Sequence, residues 1–72
     1  MGAVVVIGEP GLVDGYALAG AVVVPAEGPD QARRAWRDLP ESVSLVILTD
    51  SAAQALTADI RDSAVLTVVM PA

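Results

Sequence analysis

The sequence contains no cysteine, no histidine and no lysine. Without cysteine the chain can form neither a disulfide nor a thiolate metal site. Without histidine it lacks the side chain that most often acts as a general base, and its serines stand in no nucleophile-elbow motif. The residues therefore predict a protein that is not an enzyme, with no catalytic, cofactor-binding or metal-binding residues.

Positive charge is scarce, because four arginines are the only basic residues against nine acids. The net charge of −5 would repel a phosphate backbone, so we expect no nucleic-acid partner. No apolar run approaches the ~20 residues that span a bilayer, and no basic segment of the secretory type precedes the first apolar run. These patterns predict a cytoplasmic protein that does not insert into a membrane.

Aromatic residues are few, with one tryptophan, one tyrosine and no phenylalanine in 72 residues. Because 54% of the chain is nevertheless hydrophobic, the core must consist of Val, Leu, Ile and Ala. That composition suits buried parallel strands with helices packed against them. A chain this short buries only ~60% of its unfolded surface, so we expect one domain over residues 1–72 that gains stability from a partner or from self-association.

Apolar runs of strand type alternate with segments of helical periodicity along the chain. The predicted strands are Ala3–Ile7, Ala21–Val24, Val43–Leu48 and Val65–Met70, and Pro71 would end the last one. The predicted helices run from Pro10 to about Gly20, from Pro29 to Leu39, and from Asp50 or Ser51 to about Asp62. Right-handed crossovers then favour a small α/β fold: a doubly wound four-stranded parallel sheet of order 2-1-3-4 with three helices.

This strand order distributes the helices unequally over the two faces of the sheet. Helical spacing turns Leu12, Val13 and Tyr16 of the first helix toward the strands. It does the same for Trp36 and Leu39 of the second helix. The first helix would lie on one face and the other two on the opposite face, because the winding reverses at the first strand. We therefore expect an apolar patch beside the third and fourth strands. Its candidate partner-interface residues are Tyr16, Leu66, Val68 and Met70.

Three glycines follow the first strand and open the first helix, as in a dinucleotide-binding fingerprint. Gly8, Gly11 and Gly15 have the spacing G-x-x-G-x-x-x-G, however, whereas that fingerprint needs G-x-G-x-x-G. We interpret them as turn residues, with Gly15 allowing close packing of the first helix on the sheet.

Two acids follow neighbouring strands at the carboxyl edge of the predicted sheet. Glu9 follows the first strand and Asp50 follows the third. Two carboxylates at this edge could hold Mg²⁺, which prefers oxygen ligands. We favour the simpler interpretation, in which Glu9 lies in a solvated turn and Asp50 caps the third helix.

Several of these segments resemble the small globular F subunit of the V/A-type rotary ATPases. The segments Val5–Gly8 (VVIG) and Gly15–Gly20 (GYALAG) are similar to that family's first strand and to its Gly-Phe-Arg-Leu-Ala-Gly-like first helix. Val46–Asp50 (VILTD) is similar to its third strand, which usually ends in Leu-Thr-Glu, and Met70–Pro71 stands where its fourth strand ends in Ile-Pro. The resemblance spans the chain from Val5 to Pro71, and none of its motifs is catalytic.

The resemblance implies a non-catalytic component of the central stalk, membrane-peripheral, that binds the rotor coiled coil. Such a component regulates the coupling of ATP hydrolysis or synthesis to ion transport. The chain departs from the family at Tyr16, Ala17 and Asp50, where Phe, Arg and Glu are usual. Family members also continue into a helix that docks along the rotor, whereas this sequence stops at Ala72. The alternative is a free-standing interaction module that forms a homodimer and has no ATPase role.

Overall fold

The computed structural model describes residues 2–70, without the side chains of residues 17–19. The strands β1 (Ala3–Gly8), β2 (Val22–Pro25), β3 (Val43–Leu48) and β4 (Leu66–Val69) form one parallel sheet in the order β2-β1-β3-β4. The helices are α1 (Pro10–Val13), α2 (Pro29–Arg37), α3 (Asp50–Ala55) and α4 (Thr57–Arg61), with a 3₁₀ helix (Asp14–Ala19) after α1. The predicted fold class and strand order are confirmed. The predicted stop at Pro71 lies outside the described residues.

β1 lies at the centre of the sheet, between β2 and β3. Val5, Val6 and Ile7 are at most 1% exposed, so both faces of the strand lie inside the protein. Val5 pairs in register with Val22 on one edge and with Val46 on the other. Burial on both faces explains why this run is continuously apolar and β-branched instead of alternating with polar residues.

α2 and α3 pack against each other and cover one face of the sheet with the main core. The inward positions of α2 are small, since Ala32 and Ala35 are buried, and this lets the helix lie close to the strands. Trp36 and Leu39 pack against the core at its margin, as predicted. The fully or nearly buried members of this core are Val5, Ile7, Ala26, Ala32, Ala35, Val46, Leu48, Ala52 and Leu56.

The first predicted helix differs from the structure in type and at one inward position. Its α-helical part ends after Val13 and continues as the 3₁₀ helix, in a stretch where Gly11 and Gly15 weaken α-helix propensity. Val13, which was expected to face the sheet, is fully buried, whereas Leu12, which was also expected to face it, is 60% exposed. A Cβ at Gly15 would meet nothing within 4 Å, so the prediction that this glycine allows close packing is wrong.

The third predicted helix is interrupted at one residue. Leu56 has φ −105° and ψ 13° between α3 and α4, and its side chain is fully buried. Residues 2–70 therefore contain four α-helices where we predicted three, which leaves the topology unchanged. In the same part of the chain, no helix combines the length and the apolar character that crossing a membrane requires.

Candidate partner-binding site

The sheet face opposite α2 and α3 is uncovered beside β3 and β4. Leu66 and Val68 lie on this face, because they pair in register with Leu45 and Ile47, which alternate with residues of the main core. Leu66 is 64% exposed and Val68 is 47% exposed. Large apolar side chains at this exposure, in adjacent positions of one strand face, form a patch of the kind that marks an interaction surface.

A hollow beside β3 extends the apolar surface toward the 3₁₀ helix. It has a volume of about 310 Å³ and is lined by Val4, Tyr16, Val22 and Ile47 among smaller residues, and none of the described residues that line it is charged. Met70 continues the alternation of β4, since its backbone N–H donates to the Leu48 carbonyl at 2.8 Å. We call the combined surface the open face. Its members are Val4, Tyr16, Leu45, Ile47, Leu66, Val68 and Met70.

The open face exists because the helical segments on this side of the sheet are short. Val13 of α1 and Val6 of β1 are both fully buried here. α1 has four residues and the 3₁₀ helix has six, and they pack mainly on β1 and β2. The outer half of the face, on β3 and β4, is left to solvent. The predicted patch is therefore present, and its role as a partner interface stays a prediction.

Sequence reasoning named four members of the open face and missed the other three. Leu66 and Val68 lie in β4, and Met70 directly follows that strand. Tyr16 lines the hollow together with Ile47 of the neighbouring strand β3. Val4, Leu45 and Ile47 were missed because each belongs to a strand that looks buried throughout. Leu45 and Ile47 could have been found from the two-residue period of a strand. In β3, which lies next to an edge strand, they point to the face opposite Val46 and Leu48.

A separate group of polar side chains joins the strand ends at the carboxyl edge of the sheet. The Glu9 carboxylate accepts hydrogen bonds from the hydroxyls of Ser51 and Thr49, the latter with 3.3 Å between Oγ1 and Oε1. Glu9 thus lies in the turn between β1 and α1, as expected, and is in addition hydrogen-bonded there. Thr49 Oγ1 also accepts from the Ala52 backbone N–H at 3.4 Å and so caps α3. The prediction that Asp50 or Ser51 is the cap is therefore wrong.

Asp50 lies in the first turn of α3 and uses its carboxylate locally. Gln54 Nε2 donates to Asp50 Oδ2 at 3.1 Å, while Glu9 is held by hydroxyls on the other side of the cap. In the described part of the chain, no group of three or more His, Cys, Asp or Glu side chains is placed to hold a metal ion. The contacts at this edge fasten α3 to the end of β1.

Gly8 allows the ends of β1 and β3 to meet. A Cβ at this position would lie 2.2 Å from Thr49 Cγ2 and 2.6 Å from Thr49 Oγ1. Thr49 is only 2% exposed and holds the cap of α3, so it has little room to move. Gly11, by contrast, has nothing within 4 Å. The first glycine of the motif therefore serves close packing between strands.

Replacement of Thr49 by Val should lower the free energy of unfolding by about 1 kcal/mol, the usual cost of losing an N-cap oxygen. The shape of the side chain is kept while the acceptor for the Ala52 N–H is removed. Urea unfolding followed by circular dichroism measures the change. Thr57→Val is the control, since the Thr57 hydroxyl donates only to the carbonyls of Ala53 and Gln54 in the preceding turn, on the exposed surface. Equal effects of the two substitutions would contradict the capping role.

The hydroxyl of Ser51 is the main cause that lowers the pKa of Glu9 below its ordinary value, with a smaller contribution from Thr49. A carboxyl with a lowered folded-state pKa stabilises the fold above its ordinary pKa, and that stabilisation is lost as pH falls through the folded-state value. Glu9→Gln should therefore destabilise the chain slightly at pH 7, and the effect should shrink as the pH is lowered from 7 to 3. Urea midpoints measured across this pH range test it, and a difference that persists unchanged at pH 3 would contradict the assignment.

The fold and this surface together define a small parallel α/β domain with an exposed apolar sheet face. None of the protein-family models, characterised proteins or solved structures compared with the chain matches it significantly.

Proposed function

We propose that the chain is a non-catalytic protein-binding component that acts in the central stalk of a V/A-type rotary ATPase. Its open face would dock on the rotor coiled coil, and the protein would regulate how ATP hydrolysis or synthesis is coupled to ion transport. The observation that carries the proposal is the exposure of Leu66 and Val68 on a face whose members are all uncharged. The choice of partner rests on the resemblance of the first strand, first helix and third strand to the stalk family named above.

The chemistry of the open face supports a protein partner. The centre of a protein interface is depleted in charge and enriched in apolar and aromatic side chains. Leu66, Val68 and Met70 supply an apolar strip, and Tyr16 adds an amphipathic ring at its margin.

A second copy of the chain is the alternative occupant, and one feature favours it. β4 is an edge strand, so the open face continues into an edge that has no strand partner within residues 2–70. A two-fold axis through this region would pair the same apolar patch with itself, as isologous dimers do. The protein would then be a free-standing homodimeric interaction module without an ATPase role.

Co-purification from the native cells separates these two functions. A tagged copy of the chain is recovered, its companions are identified by mass spectrometry, and the mass of the free chain is measured by light scattering. Recovery of rotary-ATPase stalk and catalytic-head proteins is the expected result. Recovery of the chain alone, with the mass of a dimer, would contradict the stalk proposal and establish the alternative.

A further inference from the structure

A groove runs between α2 and the outer strand β2, on the side of the sheet opposite the open face. Its volume is about 380 Å³, within the range of ligand-binding clefts. Val22 and Val24 form its floor, Leu39 closes one end, and Arg34 and Asp38 stand on the wall that α2 provides. The groove is open because α2 packs against β1 and leaves β2 partly bare, with Val22 53% exposed.

The floor of this groove is an edge strand with little protection. β2 pairs only with β1 among residues 2–70, so the backbone groups on its outer edge have no strand partner there. Natural edge strands are usually guarded by a charged side chain, a bulge or a cover. β2 has the sequence Val-Val-Val-Pro, and the only residue in it that disfavours further strand pairing is Pro25 at the last position. An extended segment could therefore pair with Val22–Val24 and continue the sheet.

The wall of the groove carries one charge of each sign. Arg34 and Asp38 are four residues apart, about 6 Å along the helix axis. Within residues 2–70, the only ion pair joins Arg33 to Asp30. Neither Arg34 nor Asp38 therefore has an ionic partner in that part of the chain. Side chains two residues apart on one face of an extended strand are ~6.6 Å apart. A strand placed along β2 could thus present a basic side chain to Asp38 and an acidic one to Arg34.

We propose that the groove binds an extended peptide segment, which adds a strand to β2 and places one acidic and one basic side chain, two residues apart, against Arg34 and Asp38. The groove lies on the face of the sheet that α2 covers, whereas the open face lies on the other, and Val22 at the start of β2 lines both the groove and the hollow. The proposal does not depend on the stalk proposal. Backbone pairing with β2 provides the binding, and the two charges select the sequence, as in other cases of strand addition.

Three capped octapeptides serve as probes, with Thr on one face of the strand and Val at the ends of the other. They differ only at the two central positions of that second face. These two positions are Lys and Glu in the first peptide, both Gln in the second, and both Lys in the third. Each is titrated into the isotope-labelled full chain, and the backbone amide signals of Val22–Val24 are followed by NMR. We expect saturable shifts there, with the Lys/Glu peptide binding about fivefold more tightly than the Gln/Gln peptide, as two exposed ion pairs would give.

Two further measurements distinguish strand addition from non-specific binding. Arg34→Glu leaves two acids on the wall, so this variant should prefer the Lys/Lys peptide over the Lys/Glu peptide. Methylation of alternate backbone nitrogens of the Lys/Glu peptide should abolish the shifts, because it removes the donors that pair with β2. Both Arg34 and Asp38 are exposed, so the variant is expected to fold, and a dispersed amide spectrum checks this.

Three results would overturn the proposal. The first is the absence of saturable shifts at Val22–Val24 with about 1 mM peptide, the upper end of weak specific binding. The second is equal affinity for the three peptides in both the unsubstituted chain and the Arg34→Glu variant. The third is binding without strand addition to β2, shown by full binding of the N-methylated peptide or by shifts confined to Leu66 and Val68 on the open face.

Discussion

Replacement of Gly8 by Ala is expected to lower the free energy of unfolding by about 3 kcal/mol, the upper part of the range for overpacking a closed site. The added Cβ would lie 2.2 Å from Thr49 Cγ2 and 2.9 Å from Thr49 Cβ, closer than carbon atoms can approach. Thr49 cannot turn away without giving up its cap on α3 and its bond to Glu9. The strain would therefore spread to the contact between β1 and β3.

Gly15→Ala is the matched control for this prediction. Nothing lies within 4 Å of the Cβ position at Gly15, and its φ is not positive. Alanine there should leave the stability unchanged or raise it by ~0.5 kcal/mol, because it restricts the unfolded chain. Urea unfolding of both variants measures the difference. Since a domain of this size has only ~4–10 kcal/mol of stability in total, the two midpoints should lie far apart. Similar midpoints would show that Gly8 is not a packing glycine.

The combined substitution Leu66→Lys with Val68→Lys should weaken partner binding at least ~100-fold. Truncation of a central apolar contact in an interface often costs 1 to 2 kcal/mol or more, and the two lysines would also have to be desolvated against an apolar partner. Leu66 and Val68 are 64% and 47% exposed in the free chain, so their replacement should change the free energy of unfolding by less than ~0.5 kcal/mol. The measurement is the amount of rotor coiled-coil protein recovered with the tagged chain.

Val69→Lys is the control that isolates the face of the strand. Val69 is adjacent to Val68 and is 46% exposed, but it points to the side of the sheet that carries α3 and α4. Binding should survive this substitution almost unchanged. If Val69→Lys abolishes binding as completely as Leu66→Lys with Val68→Lys, then the contact involves the strand edge or the whole domain, and not the open face.

The topology of this chain could be predicted because its signals are local and mutually consistent. Uninterrupted β-branched runs, proline at the start of α2 and short connections each point to parallel strands with helical crossovers. The inward positions of α2 followed from their spacing alone. The order 2-1-3-4 then located the uncovered half of one face. This is why Leu66 and Val68 could be named from the sequence as candidate interface residues.

The details that sequence reasoning missed depend on contacts between distant segments. Thr49 caps α3, and not Asp50, because the residue at the end of β3 is also packed against Gly8. The break between α3 and α4 falls at Leu56, whose side chain is fully buried in the core. The β2 groove was missed for the same reason, since it depends on how far α2 lies from the edge of the sheet.

The central claim is that a partner covers the open face, and methyl NMR with a soluble relaxation agent tests it most directly. In the free chain, the methyl signals of Leu66 and Val68 should be strongly broadened by the agent, while those of the buried Leu48 and Leu56 should not. On addition of the rotor coiled-coil protein, the account predicts that Leu66 and Val68 become protected. Saturable binding of that protein with both residues still fully exposed to the agent would contradict it.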